Sequence, residues 1–224
     1  MADDQKLGID LVESKPINLN TYNGGRWDVE RANMITEQEV KLTINNEYWL
    51  TFMCTPVDME ALAVGFLFNE NITQSYDDIA SVRVCPGRNN IELWTNISVR
   101  KPDIWIRTSE CSGGETSIDA SYLSYQKSEP QNGVVITPQG ISSLIVQLLK
   151  SQDFYRKFGG VHSSALCDGD EILLTADDIG RHNTLDKISG KMIINQITTE
   201  KKIVLTTGRI SSEMIQKTGR MGAS

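Results

Sequence analysis

Histidine is the scarcest chemistry-bearing residue in this chain of 224: there are two, and the four cysteines stand far apart at positions 54, 85, 111 and 167. No C-x-x-C, H-x-E or H-E-x-x-H spacing occurs, so a zinc site would need wholly dispersed ligands, and none is expected. His162 and Cys167 cannot share one either, since five positions along a predicted strand put them on opposite faces. Long apolar runs are missing as well. The longest, Ala61 to Phe68, has eight residues, against roughly 20 for a membrane-spanning helix. Met1-Ala2-Asp3-Asp4 offers neither the basic nor the apolar region of a signal peptide, so the expected compartment is the cytoplasm, with the cysteines as free thiols. Positive charge is in deficit: 22 Lys and Arg against 29 Asp and Glu give −7. That balance argues against non-specific nucleic-acid binding but leaves room for a local cluster around a small anion.

What is present reads as a soluble globular protein, with 39% apolar and 23% charged residues. Residues 1–35 read as a polar arm or edge strand followed by a loop at Gly24-Gly25. Val40, Leu42 and Ile44 alternate, Asn45-Asn46 follow, and a second apolar run ends at Met53, which predicts a hairpin. Thr55-Pro56 with Asp58 predicts a capped helix start, carrying Met59, Leu62, Ala63, Phe66 and Leu67. Strands are predicted over 81–85 and 91–95. Residues 108–132 are rich in Ser, Gly, Glu and Gln and read as a linker or long functional loop. Beyond it come a strand at 134–136, then a helix from Thr137-Pro138 whose buried stripe is Ile141, Leu144, Ile145, Leu148 and Leu149. Strands 163–167 and 171–175 flank an Asp168-Gly169 turn. A helix runs from about 181 to 192, strand 203–207 follows, and a last helix starts near Ser211. The organisation is therefore α/β: an N-terminal α+β unit over 1–107, the loop 108–132, and an α/β unit over 133–224.

Cys111 lies in Ser109-Glu110-Cys111-Ser112-Gly113-Gly114-Glu115, with nothing apolar beside it. The paired glycines let the backbone approach a second molecule, so this is either a reactive sulfur or an exposed cysteine in a flexible loop. His162, in Gly159-Gly160-Val161-His162-Ser163, and His182, in Gly180-Arg181-His182-Asn183, sit where loops enter regular elements. Each is a ligand-site candidate or a hydrogen-bonded structural histidine. Thr206-Thr207-Gly208-Arg209-Ile210-Ser211-Ser212 is a strand, a glycine and a helix start, where free N–H groups and the helix dipole favour phosphate and Arg209 can add a bidentate contact. Gly180-Arg181 repeats the arrangement, and two such turns suit a ligand with more than one phosphate. Cys54, Cys85 and Cys167 read as packing residues.

Taken together these segments resemble the FdhD family, the sulfurtransferases that accompany formate dehydrogenase maturation. The matching stretches are Thr55-Pro56 through Leu67, the Cys111 loop, Gly159 through Leu166, Asp178 through Lys187, and Gly208 through Lys217. The resemblance implies a cytidine-deaminase-like fold for the second half, without its zinc motif. It implies a relay in which a cysteine desulfurase loads a persulfide on Cys111. The sulfur then passes to the bis-guanine-dinucleotide molybdenum (or tungsten) cofactor before insertion into the formate dehydrogenase catalytic subunit. Gly180, Arg181, His182, Gly208 and Arg209 would form the cofactor pocket, with His162 lining it, and the protein would be a homodimer. A non-covalent cofactor chaperone is the alternative. Three positions depart from the family pattern. Gly114 stands where many relatives have a second cysteine, Phe158 replaces a threonine before Gly-Gly, and relatives continue past the position of Ser224. With one loop cysteine, the relay would run on Cys111 alone. A free cysteine, with a pKa of about 8.5, must lose about two pH units to be mostly thiolate at neutral pH; Glu110 and Glu115 work against that.

Overall fold

In the computed structural model of the chain, residues 14–102, 105–107, 115–117, 134–198 and 201–223 are described. Cys111 and its glycines lie outside them. First comes an antiparallel ribbon, β1 (Ser14–Asn23) and β2 (Arg26–Ile35), turned by Gly24-Gly25 at positive φ. The expectation of a strand and then a loop misses β2. Both faces of the ribbon stand in solvent, so the alternation of Ile17 with Leu19 and of Trp27 with Val29 marks no buried face.

β3 (Gln38–Ile44) and β4 (Glu47–Cys54) form the expected hairpin, with Asn45 and Asn46 both in the left-handed region. β5 (Ile79–Val84) and β6 (Asn90–Thr95) complete a sheet ordered β4-β3-β6-β5, in which β3 and β6 run parallel. Val40, Leu42, Ile44, Ile91 and Leu93 pack in one cluster with α1 (Met59–Asn69). Every α1 residue from Met59 to Leu67 except Glu60 is buried, as befits a helix apolar all round and covered on two sides. Thr55 does not cap it. The helix starts after Asp58, whose φ is 50° and whose carboxylate pairs with Lys191 at 2.6 Å, while Thr55 serves another contact described below.

β7 (Trp105–Arg107) pairs with β8 (Glu115–Ser117). α2 (Pro138–Ser151) is capped as expected, Thr137 Oγ1 accepting from Gly140 N–H at 3.1 Å. The expected strand at 134–136 is not one: these residues are an irregular lead-in, and Val134 and Ile136 lean on the Leu144 cluster. After α3 (Asp153–Phe158) come β9 (His162–Asp168), β10 (Glu171–Asp178), α4 (Arg181–Ile194), β11 (Lys202–Thr206) and α5 (Ser212–Arg220). The second sheet is antiparallel throughout, in the order β10-β9-β11.

β9 alternates between two layers. Ala165 and Cys167 face Leu144 and Leu148 of α2, whereas Leu166 joins Ile188 and Met192 of α4. Only part of the α2 stripe is buried: Leu144 and Leu148 meet the sheet, while Ile141, Ile145 and Leu149, one position round the helix, are exposed. α1 and α4 cross between the two sheets. A Cβ on Gly65 would lie 1.7 Å from the Asp186 carbonyl oxygen, and one on Gly190 would lie 1.9 Å from that of Ala61. Glycine at both positions is what permits the crossing.

Candidate functional site

β10 and β11 both run antiparallel to β9, so both end beside its start. His162 opens β9 there, opposite Asp178. Strand alternation puts its side chain on the α4 side with Ser164 and Leu166. Gly180-Arg181 leads into α4 and Gly208-Arg209 leads towards α5, so two helix N-termini converge on this end of the sheet. The turns touch. A Cβ on Gly208 would lie 2.7 Å from Arg181 Cβ and 3.0 Å from its Cδ. Hydroxyls fix the contact: Gly208 N–H donates to Thr206 Oγ1 (3.2 Å), as does Ser164 Oγ (3.1 Å). Ser164 and Thr184 hydroxyls lie 2.6 Å apart, and Thr184 donates to the Arg181 carbonyl at 2.7 Å.

His182 joins the two helix starts. Its Nε2 lies 3.0 Å from Oγ of Ser211, the N-cap of α5, and 3.1 Å from Oε2 of buried Glu213. A carboxylate only accepts, so Nε2 carries a proton. Arg181 is half-buried and Arg209 exposed. Gly180 N–H is committed to Asp178 Oδ1 (2.8 Å) and Gly208 N–H to Thr206. The glycines therefore shape the site, and the groups that could meet an anion there are the first turns of the helices and the exposed Arg209. Glu213 offsets one of the positive charges.

A buried ion pair anchors this arrangement to the first sheet. Lys187 Nζ donates to Asp178 Oδ2 (2.5 Å) and to the carbonyls of Thr55 and Asp177 (both 3.1 Å), and neither charged side chain is exposed. Asp178 also accepts from Thr55 N–H (3.1 Å) and Asn183 Nδ2 (2.9 Å), and Thr55 Oγ1 accepts from Ile179 N–H (3.2 Å). Asn183 reaches on to the Met53 carbonyl at 2.8 Å. The end of β4 is thereby fixed to the start of α4. Beside it, burial pushes the Asp177 carboxyl above its usual value, opposed by Ser163 and the nearby lysines. Lower on α4, Asp186 holds Lys217 through both oxygens (2.7 and 2.6 Å). Burial disfavours the Lys217 charge, but Asp186, Glu70 and Glu213 outweigh it and raise its pKa.

The structure thus brings together His162, Gly180, Arg181, His182 and Gly208, with Arg209 on the adjoining turn. Cys111 lies outside the described residues. Sequence reasoning gives no role to Ser164, Thr184, Thr206 or Glu213, whose only signal is proximity to the Gly-Arg turns, nor to the Asp178–Lys187 pair, which spans 123 residues to reach Thr55. Two other cysteines are inert: burial, and then Asp178, push the Cys54 thiol up to about 12, and burial pushes Cys167 to about 11. Cys85 is not a packing residue. It is half-buried beside the β5–β6 turn, its thiol 3.0 Å from Asn89 Oδ1. Among the described residues, no three His, Cys, Asp or Glu side chains are grouped to hold a metal ion, and no helix is long and apolar enough to cross a membrane.

The sequence model of the FdhD/NarQ family matches residues 35–224. A sulfur carrier protein FdhD from Bacillus licheniformis is 30% identical over 222 residues, covering 97% of this chain and 83% of that protein. One from Listeria monocytogenes is 32% identical over 224 residues, covering 96% and 83%. A crystal structure from Desulfotalea psychrophila, described as a formate dehydrogenase accessory protein, superposes with a TM-score of 0.76 at 23% identity. It covers 94% of this chain and 81% of that one, a likeness of fold.

Proposed function

Because this chain belongs to the FdhD/NarQ family, we propose that it is a sulfur carrier in formate dehydrogenase maturation. In this reading a cysteine desulfurase loads Cys111, and the acceptor substrate is the bis-guanine-dinucleotide molybdenum (or tungsten) cofactor. The observation that carries the acceptor half is the contact between the two Gly-Arg turns, which sets two helix N-termini, Arg181, His182 and Arg209 at one end of a sheet. A dinucleotide presents diphosphates, the chemistry such a surface selects. His162 lines the same end.

For loading, the Cys111 thiolate attacks the outer sulfur of the desulfurase persulfide. The S–S bond of that persulfide breaks, the desulfurase cysteine leaves as thiolate, and the outer sulfur is bonded to Cys111. Delivery as sulfide breaks this new bond. It takes two electrons and a proton from a dithiol, which is oxidised to its disulfide, and Cys111 returns to thiolate. The described residues hold the acceptor; Cys111 carries the sulfur.

A cell lacking this protein tests the reading. Cys111→Ser should fail to restore formate dehydrogenase activity while still binding guanosine diphosphate. Full restoration would refute sulfur transfer and leave the chaperone role.

A further inference from the structure

We propose that Lys217 and Asp186 are positioning residues of the candidate site. Their ion pair docks α5, as a unit of its own, against α4, and a diphosphate bound between the two helix starts tightens that docking. The identity of the ligand rests on the function proposed above; the docking itself rests on the geometry. Surface helices normally dock through an apolar stripe. On α5 the buried side chains are Glu213, Met214 and Lys217, two of the three being charged. Ile215, the other large apolar side chain of the helix, is 55% exposed.

The charges are paired between helices. Lys217 meets both oxygens of Asp186 on α4, and Asn69 Nδ2 of α1 donates to the same carboxylate at 2.7 Å. One turn nearer the site, Glu213 pairs with His182, and the Ser211 hydroxyl lies beside the same ring nitrogen. At the opposite end, Met221 enters the cluster of Leu166, Ile188 and Met192, and Arg220 Nε donates to the Phe68 carbonyl at 3.2 Å. The far end of α5 is thus anchored in the apolar core. The end that carries the site is held by ion pairs and hydrogen bonds around Met214.

Taking paired charges out of water costs about as much as their attraction returns, so such an interface fixes how a helix sits more than how strongly. An element docked in this way opens below global unfolding, and ligand-binding elements are drawn from that end of the stability scale. The α1–α4 crossing is the contrast: glycines bring those backbones into contact, and the apolar side chains of α1 pack beneath. The consequence falls on the site. Undocking α5 withdraws Ser211 and the first turn of the helix from His182, and separates the two helix starts that a diphosphate would bridge. By linkage, a ligand that bridges them favours docking by the same factor that docking favours the ligand.

Hydrogen exchange and isothermal titration of the full chain with guanosine diphosphate test this. In wild type the nucleotide is expected to slow exchange of the α5 amides. Lys217→Met should speed α5 exchange by about ten-fold or more and weaken guanosine diphosphate by about ten-fold, while the α1 amides keep their protection. Lys217→Arg, whose guanidinium spans the same two carboxylate oxygens, should restore both. Unchanged α5 exchange in Lys217→Met, or α1 loosening in step with α5, overturns the separate docking. Unchanged affinity while α5 exchanges freely overturns the positioning role. So does an arginine variant with a protected α5 and lost affinity, which would make Lys217 a ligand contact. If wild type binds no guanosine diphosphate while Lys217→Met still loosens α5 alone, the docking stands and the acceptor reading falls.

Discussion

Gly190 of α4 meets Ala61 of α1 so closely that a Cβ on the glycine would stand 1.9 Å from the alanine carbonyl oxygen. Backbone cannot yield as a flexible side chain can, so one methyl group must push the helices apart. Gly190→Ala is expected to cost about 3 kcal/mol or more in urea denaturation, at or above the upper range for overpacking. Because α4 carries Arg181 and His182, the same variant should weaken nucleotide binding. A loss below about 0.5 kcal/mol, the range of neutral surface changes, would contradict the crossing.

Lys187→Met removes the cation from a wholly buried pair and leaves the Asp178 carboxylate among neutral donors. Breaking such a pair costs about 3–5 kcal/mol, whereas replacing both partners with groups of matching shape recovers much of the loss. A double-mutant cycle with Asp178→Asn, followed by chemical denaturation, should show strong coupling. Additive effects would mean the pair does not act as one clamp.

Asn45-Asn46 is readable from sequence because two adjacent asparagines tolerate the left-handed backbone that a tight hairpin needs, and the flanking alternation confirms the strands. The Thr137-Pro138 helix start is readable for the same local reason. Thr55-Pro56 carries the same signature yet caps nothing, because Thr55 is committed to Asp178, Ile179 and Lys187, all far along the chain. Local chemistry cannot disclose that competition. The Gly-Arg turns are legible singly, as anion-binding motifs; their contact is not, since it depends on β10 and β11 both flanking β9. Ile141, Ile145 and Leu149 read as buried because their spacing is helical, and spacing alone does not say how wide a stripe the sheet will cover.

Stability should fall on the alkaline side. An unfolded Cys54 loses its proton near 9.0, while the folded thiol keeps it to about 12, and Cys167 behaves likewise to about 11. Between those values the native state binds more protons, so unfolding becomes easier as pH rises. Lys217 adds in the same direction above 10.5, its folded pKa being raised. Denaturation at about pH 8 and about pH 10.5 should differ by roughly 2 kcal/mol from Cys54 alone. Cys54→Val should flatten the slope, and an unchanged slope would place the titration elsewhere.

Arg209→Ala should weaken guanosine diphosphate binding by about ten-fold, the scale of one charge-assisted hydrogen bond. Gly208→Ala should weaken it too, by forcing the Arg181 side chain off the second turn. Isothermal titration against a Lys41→Ala control, on the far sheet, separates a local effect from a change in net charge. Equal affinities for all three would remove the phosphate-binding assignment.

The sulfur relay is the central claim, and intact-mass spectrometry after incubation with a cysteine desulfurase and cysteine tests it most directly. The account predicts that the wild-type chain gains the mass of one sulfur atom, that a thiol reductant removes it, and that Cys111→Ala gains nothing. Sulfur uptake by Cys111→Ala, at Cys85 or elsewhere, would contradict it.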